Sequence, residues 1–197
     1  MLLNERGLKV MEEFLRDYNA RITGSFIARK RRLNQKSVSN FLKQLEKENF
    51  LKSTTQGKNK LYFLNLEDEL NIASFISCFE HIRTIRFYRK KPFIKEVAGK
   101  IIPLCSGIIA VFGSYAKGAE KEDSDIDLFV AGKCDVDKIQ KISEMYHIEI
   151  NVKHYASVPK RSDLLIEEII KDHVIINDIH RFVWMVLKWK KSSGVFA

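Results

Sequence analysis

Between Ile108 and Val130 the chain runs an apolar stretch into a glycine turn and comes back, after a polar loop, on a strand headed by two acids. Ile108 to Phe112 leads into Gly113-Ser114, and ten residues later Asp125-Ile126-Asp127 is followed by Leu128-Phe129-Val130. A strand has a side-chain period of two, so Asp125 and Asp127 project from one face while Ile126 and Leu128 enter a core. Two carboxylates held side by side repel each other unless positive charge compensates them. Oxygen-only ligands of this kind suit Mg²⁺, which takes one or two carboxylates together with phosphate oxygens. The Gly-Ser turn exposes backbone N–H groups to an anion. A phosphate cradle and a metal pair one hairpin apart point to chemistry on a nucleoside triphosphate. The competing reading is an ordinary hairpin with a solvated acidic turn, since Glu120, Glu122 and Asp123 share the loop.

Gly113-Ser114-Tyr115-Ala116-Lys117-Gly118 and Ser124-Asp125-Ile126-Asp127-Leu128 resemble the signature of the DNA polymerase β-like nucleotidyltransferases, in their minimal bacterial and archaeal branch. There the stretch usually reads Gly-Ser-x-Ala-Arg-Gly, a variable loop, then Ser-Asp-Ile-Asp-Leu. The visible departure is Lys117 in place of Arg, which keeps the charge but loses the bidentate fork. The resemblance implies that Gly113, Ser114, Lys117 and Ser124 bind the nucleotide and that Asp125 and Asp127 hold two Mg²⁺ ions. An acceptor hydroxyl would attack the α-phosphorus of an NTP, ATP being the natural candidate, and pyrophosphate would leave. Such sites need a third acid. Family members often carry a Glu-hydrophobic-Asn string on the next strand, and Ile148-Glu149-Ile150-Asn151-Val152 alternates in that way. That nominates Glu149 as the third catalytic and metal-binding carboxylate. Asn151 cannot act as a base and is at most a neutral ligand or a hydrogen-bonding neighbour.

Charge is distributed unevenly along the 197 residues. Residues 1–65 hold 14 Lys and Arg against 6 Asp and Glu, a net of +8, whereas the rest hold 20 against 19. A basic first third joined to a nearly neutral remainder is the pattern of a nucleic-acid-binding module attached to something else. Its periodicity predicts helices over 7–18, 24–30 and 35–48, with Asn34 as an N-cap and Asn49 as a left-handed C-terminal cap. Phe50 to Thr54 and Lys60 to Leu64 then flank a basic hairpin tip, Gln56-Gly57-Lys58-Asn59. The string from Ile27 through Leu64 resembles the winged helix-turn-helix of transcription regulators. That likeness implies base contacts from Gln35, Lys36, Ser37, Ser39 and Asn40 in the major groove. Arg29 to Arg32, Lys43, Lys58 and Lys60 would sit on phosphates. A winged helix used for protein contacts is the alternative.

Leu66 to Arg89 lacks Pro and Gly and reads as a helix with too many apolar positions for an exposed linker. It would pack on either flanking domain or on a second copy, a homodimer suiting a two-fold DNA site. The expected organisation is α+β. A winged helix-turn-helix (1–65) is followed by a helical connector (66–91) and a nucleotidyltransferase α/β domain with a small mixed sheet (92–197). In that domain helices are expected over 93–102, 136–146 and 164–171, a strand over 173–177 and a last helix through Trp184. Trp184, Trp189 and Phe182 read as anchors rather than a nucleobase platform. Residues Met1 to Arg6 lack the apolar stretch of a signal peptide, and the apolar run 101–112 is too short to cross a bilayer. The three cysteines and five histidines show no ligand spacing, so neither zinc nor a disulfide framework is indicated and a cytoplasmic location is expected. Three functions stay open: a nucleotidyltransferase carrying a DNA reader, a transcription regulator whose second domain senses nucleotide or is inactive, and an enzyme that adds AMP to a partner such as a HEPN-domain toxin.

Overall fold

A computed structural model of the chain describes residues 4–159 and 164–191. The outermost limits expected for the first and last domains, residues 1 and 197, lie outside the described residues, as do Met1 to Leu3. The chain divides into two compact units, one up to Phe79 and again from Leu187, the other Glu80–Val186.

In the first unit three helices alternate with a three-stranded antiparallel sheet: α1 (Glu5–Leu15), β1 (Ile22–Thr23), α2 (Gly24–Arg31), α3 (Gln35–Lys47), β2 (Leu51–Gln56) and β3 (Asn59–Leu64), in the strand order β1-β3-β2. Local chemistry sets the helix starts. Asn4 accepts from the Gly7 amide at 2.8 Å, Thr23 from Phe26 at 3.1 Å and Asn34 from Ser37 at 3.0 Å, each satisfying an otherwise orphaned N–H. Asn49, at φ 63°, turns the chain out of α3 in the left-handed region. Gln56 then pairs with Asn59 across a two-residue Gly57-Lys58 turn. Met11, Phe14, Ile27, Val38, Leu42, Leu45 and Leu51 are buried as the unit's core.

The same core contains one acid. Glu13 is 5% exposed and accepts hydrogen bonds from Lys30 Nζ at 2.8 Å and Arg31 Nε at 2.5 Å, while Arg31 also reaches Glu12 at 2.7 Å. Two of the cations expected on DNA phosphates are therefore tied to α1. Periodicity could not foresee this pairing across 17 and 18 residues of sequence.

The long helix α4 (Glu69–Lys90) starts three residues later than its apolar pattern, because Asp68 accepts from the Asn71 amide at 3.3 Å and opens it there. Ile72, Phe75, Ile76 and Phe79 are buried and Phe75 stacks on Phe50 with centroids 3.8 Å apart, whereas Leu70 and Ile85 stay exposed. Most of the apolar stripe is thus covered within the chain.

The second unit contains α5 (Pro92–Ile101), a 3₁₀ turn (Ile102–Leu104), β4 (Ile108–Phe112), α6 (Gly113–Lys117), β5 (Ile126–Ala131), α7 (Val136–Tyr146), β6 (Ile150–Tyr155), α8 (Leu164–Lys171), β7 (Val174–Asn177) and most of α9 (Ile179–Lys191). Its four strands are ordered β6-β5-β4-β7, with β5 and β6 parallel and the other pairs antiparallel. The fold is α+β with a mixed sheet, as the pattern predicts. One sheet face buries Ile109, Val111, Ile126, Leu128, Val130 and Ile150 against Ile94, Val97 and Ala98 of α5 and Ile139 and Ile142 of α7. Glu80 of α4 and His173 are both fully buried with Oε1 and Nε2 3.5 Å apart, and Arg83 approaches the other carboxylate oxygen at 3.6 Å.

Two sequence expectations change here. Cys105 and Cys134 are joined in a disulfide, although their spacing of 29 residues gave no sign of it. Ser106 N donates to Lys133 O at 2.8 Å and Asp135 N to Leu104 O at 3.1 Å. Those bonds make the cysteines a non-hydrogen-bonded antiparallel pair with Cα atoms 4.1 Å apart. Strand β6 begins at Ile150 rather than Ile148. His147, at φ 50°, closes α7, and the Ile148 amide and carbonyl both bond to Ser143, at 3.2 and 2.6 Å. Ile148 therefore belongs to the helix cap and not to the ladder.

Burial raises the Glu13 carboxyl pKa, but the Lys30 and Arg31 bonds outweigh it and hold the group below the usual carboxylate value. Its stabilisation is thus complete above about pH 4.3 and is lost as pH falls through the lowered value. Glu13→Gln should cost about 1–3 kcal/mol at pH 7 in chemical denaturation, with the gap to wild type closing as pH falls through the lowered Glu13 pKa. A gap independent of pH would exclude the ionic account.

Candidate active site

Strand β4, the turn at its end and the head of β5 assemble one constellation. Gly113 sits at φ 67°, and a Cβ there would lie 3.0 Å from the Asp127 carboxyl carbon and closer still to Oδ2. Only glycine combines that backbone with so close an approach. Phe112 pairs with Asp127 across the β4–β5 ladder, which brings the turn over the acid. The short α6 ends at Gly118 in the left-handed region. The following loop is anchored twice: Lys91 forms an ion pair with Glu120, and Ser124 Oγ accepts from the Lys121 amide at 2.7 Å. Ser124, expected at the nucleotide, here closes the turn that delivers Asp125.

Asp125 and Asp127 flank Ile126, which is buried, so both acids emerge half-buried on the same face. In the parallel ladder Asn151 opposes Asp127. Its Nδ2 donates to Asp125 Oδ2 at 3.3 Å. Burial and then the Asp125 charge push the Asp127 carboxyl above its ordinary value, against Lys153, Asn151 and Lys117, which pull it down. Tyr115 belongs to the same environment, its phenol raised by burial and by the Asp125 carboxylate. The structure thus groups Gly113, Lys117, Asp125, Asp127, Asn151 and Lys153, with Ser114 next to Gly113 in the turn.

Glu149 is placed differently. It precedes β6, is exposed, and opens on a cleft of about 400 Å³ that it shares with Asn151 and with Gln140, Ser143, Glu144 and His147 of the α7 side. Its carbonyl accepts from the Ile126 amide at 2.8 Å. Among the described residues no three His, Cys, Asp or Glu side chains are grouped to hold a metal. Lys153 was missed by sequence reasoning, yet it continues the alternation from Asn151 and so had to share its face.

In the first unit α3 exposes Gln35, Lys36, Asn40 and Lys43, while Ser37 and Ser39 are half-buried. Lys58 is exposed at the hairpin tip, but Lys60 donates to Glu46 at 2.7 Å and lies 5.0 Å from the Tyr62 ring centre. No helix among the described residues is long and apolar enough to cross a membrane.

The glycine geometry gives a direct test. Gly118 also has positive φ, but no heavy atom lies within 4 Å of a Cβ there. Gly118→Ala should cost about 1–2 kcal/mol, the conformational penalty alone. Gly113→Ala should cost at least about 1 kcal/mol more, because the Asp127 carboxylate must also move. Equal losses in urea denaturation would refute the close approach.

Comparison with known proteins places this constellation in context. Residues 94–185 match the nucleotidyltransferase domain family, a span holding β4, the Gly113 turn, β5 and β6. A curated protein of Methanocaldococcus jannaschii, provisionally named a protein adenylyltransferase, is 35% identical over 86 residues, covering 38% of this chain and 92% of that relative. No solved structure matches the chain. The family match begins at Ile94, beyond α4, and leaves the first unit without an assignment. Through its second unit, the chain belongs to the nucleotidyltransferase domain family.

Proposed function

We propose that this protein transfers AMP from ATP to a hydroxyl group on another protein, and that its basic first unit is a winged helix-turn-helix that reads DNA. The observation carrying the first part is the paired Asp125 and Asp127 beneath the Gly113 turn, in a stretch that matches the nucleotidyltransferase family. AMP as the group and protein as the acceptor follow the name of the archaeal relative.

The donor set fits a hard cation: two half-buried carboxylates side by side, one with its charged form disfavoured by the other. Mg²⁺ bound there would draw negative charge from the oxygens that gain it in the transition state. Gly113 and Ser114 leave the turn backbone free to approach the triphosphate, and Lys117 and Lys153 offset phosphate charge beside Asp127. The acceptor oxygen bonds to the α-phosphorus, the bond from that phosphorus to the β-bridging oxygen breaks, and pyrophosphate departs as the hydroxyl gives up its proton. Such catalysis is mostly positioning and electrostatics.

For the first unit, the supports are its net charge of +8, the polar outer face of α3 and the exposed tip of its hairpin. Arg29, Arg32, Lys43 and Lys58 carry the phosphate contacts, because Lys30, Arg31 and Lys60 are already paired within the unit.

Incubating the full chain with ATP labelled on the α-phosphate, Mg²⁺ and a protein extract should label a protein. Asp127→Ala should lower that labelling by at least about 10²–10³-fold with unchanged circular dichroism. Nucleotide binding without any labelled product would instead favour a nucleotide-sensing regulator, an alternative to which the neutral Asn151 lends weight. Replacing Lys43 and Lys58 together by Ala should reduce the slope of log affinity for duplex DNA against log salt by about 2. An unchanged slope would exclude both from the interface.

A further inference from the structure

The acids at the candidate site number two, and their environment limits what they can bind. Asn151 stands opposite Asp127 in the parallel ladder, on the face where a third carboxylate could join the pair. Its amide nitrogen donates to Asp125 Oδ2 at 3.3 Å, and its presence lowers the Asp127 carboxyl pKa. A carboxylate surrounded in this way is steadied by donors but gains no negative charge. The charges of Lys153 and Lys117 reach Asp127 and offset part of the repulsion between the two acids. Glu149 is exposed on a cleft that Asn151 also lines, and among the described residues it does not group with the two acids as a third metal-binding side chain. Two divalent ions about 3.5–4 Å apart share their anionic ligands, and two carboxylates beside a neutral amide offer too few for both.

We infer that the site takes a single divalent cation, delivered together with the triphosphate, and that Asn151 is a positioning residue holding Asp125 and Asp127 for that ion. The inference rests on the nucleotidyltransferase reading above. A triphosphate supplies the charge the protein lacks, so cation and nucleotide bind as one unit, as Mg²⁺ commonly does with one or two carboxylates. The positive side chains, which oppose a free cation, favour the phosphates that accompany it.

Mn²⁺ serves as the probe. With the full-length chain and an ATP analogue carrying a methylene bridge between the α- and β-phosphorus, electron paramagnetic resonance counts the ions bound, and calorimetry follows the analogue. The expected result is one Mn²⁺ per chain with the analogue present and at least about tenfold weaker Mn²⁺ binding without it. Asn151→Asp should raise the count to two, Asn151→Ala should keep one ion but bind it at least about tenfold more weakly, and Glu149→Gln should leave the count at one. Analogue binding with two ions on the wild-type chain would overturn this inference and leave the nucleotide reading intact, as would a count lowered by Glu149→Gln. Failure of the analogue to bind at all, with Mn²⁺ present, would overturn the nucleotide reading itself and this inference with it.

Discussion

The repulsion between Asp125 and Asp127 is the interaction on which the rest of this site depends. Two residues along a strand are spaced by about 6.6 Å, and like unit charges at that distance interact by about 2–3 kcal/mol at an effective dielectric of 20. A hydrogen bond to a charged group contributes about 1.5–3 kcal/mol net at good geometry, and the Asn151 amide, at 3.3 Å from one of the two acids, offsets only part of the repulsion. Lys117 and Lys153 supply part of the balance, yet Asp127 remains raised by burial and by its neighbour. The fold therefore holds a charge arrangement that is unfavourable by itself and becomes favourable once further positive charge arrives. Functional sites are where such local cost is expected.

What keeps the carboxylates in place is the core behind them. Ile126 and Leu128 point away from the site into the layer shared with α5 and α7, so the acids cannot rotate toward solvent without exposing those side chains. The turn is fixed by Gly113, which fits only because it lacks a Cβ, and the loop by the Lys91–Glu120 pair and the Ser124 hydroxyl. At the opposite end of the β4–β5 ladder the Cys105–Cys134 disulfide and the close backbone approach of Gly107 to Ala131 hold the strands together.

The strand, turn and acid pair were legible in sequence because each depends on local chemistry: an apolar run, a glycine at positive φ and a period of two. The caps at Asn34 and Asn49 were legible for the same reason, and they appear where expected. What the sequence hid depends on pairing across distance. Cys105 meets Cys134 only after β4 and β5 align, and Glu13 meets Lys30 and Arg31 only after α1 packs. The place of Glu149 turned on one cap: the Ser143 hydroxyl captures the Ile148 carbonyl, so alternation begins two residues later than the pattern implied. The shift is a whole period of two, so Asn151 and Lys153 keep the face the alternation gave them, and the parallel pairing of β5 with β6 sets Asn151 opposite Asp127.

The central claim is that the Asp125–Asp127 pair stores repulsion that cation-bound nucleotide relieves. Thermal unfolding of the wild type and Asp127→Asn, each with and without Mg²⁺ and ATP, measures it most directly. The account predicts that the variant melts at a higher temperature than wild type when both lack ligand, and that only wild type gains stability on adding Mg²⁺ with ATP. A ligand-free variant that melts lower, or one that keeps the ligand-induced rise, would contradict it.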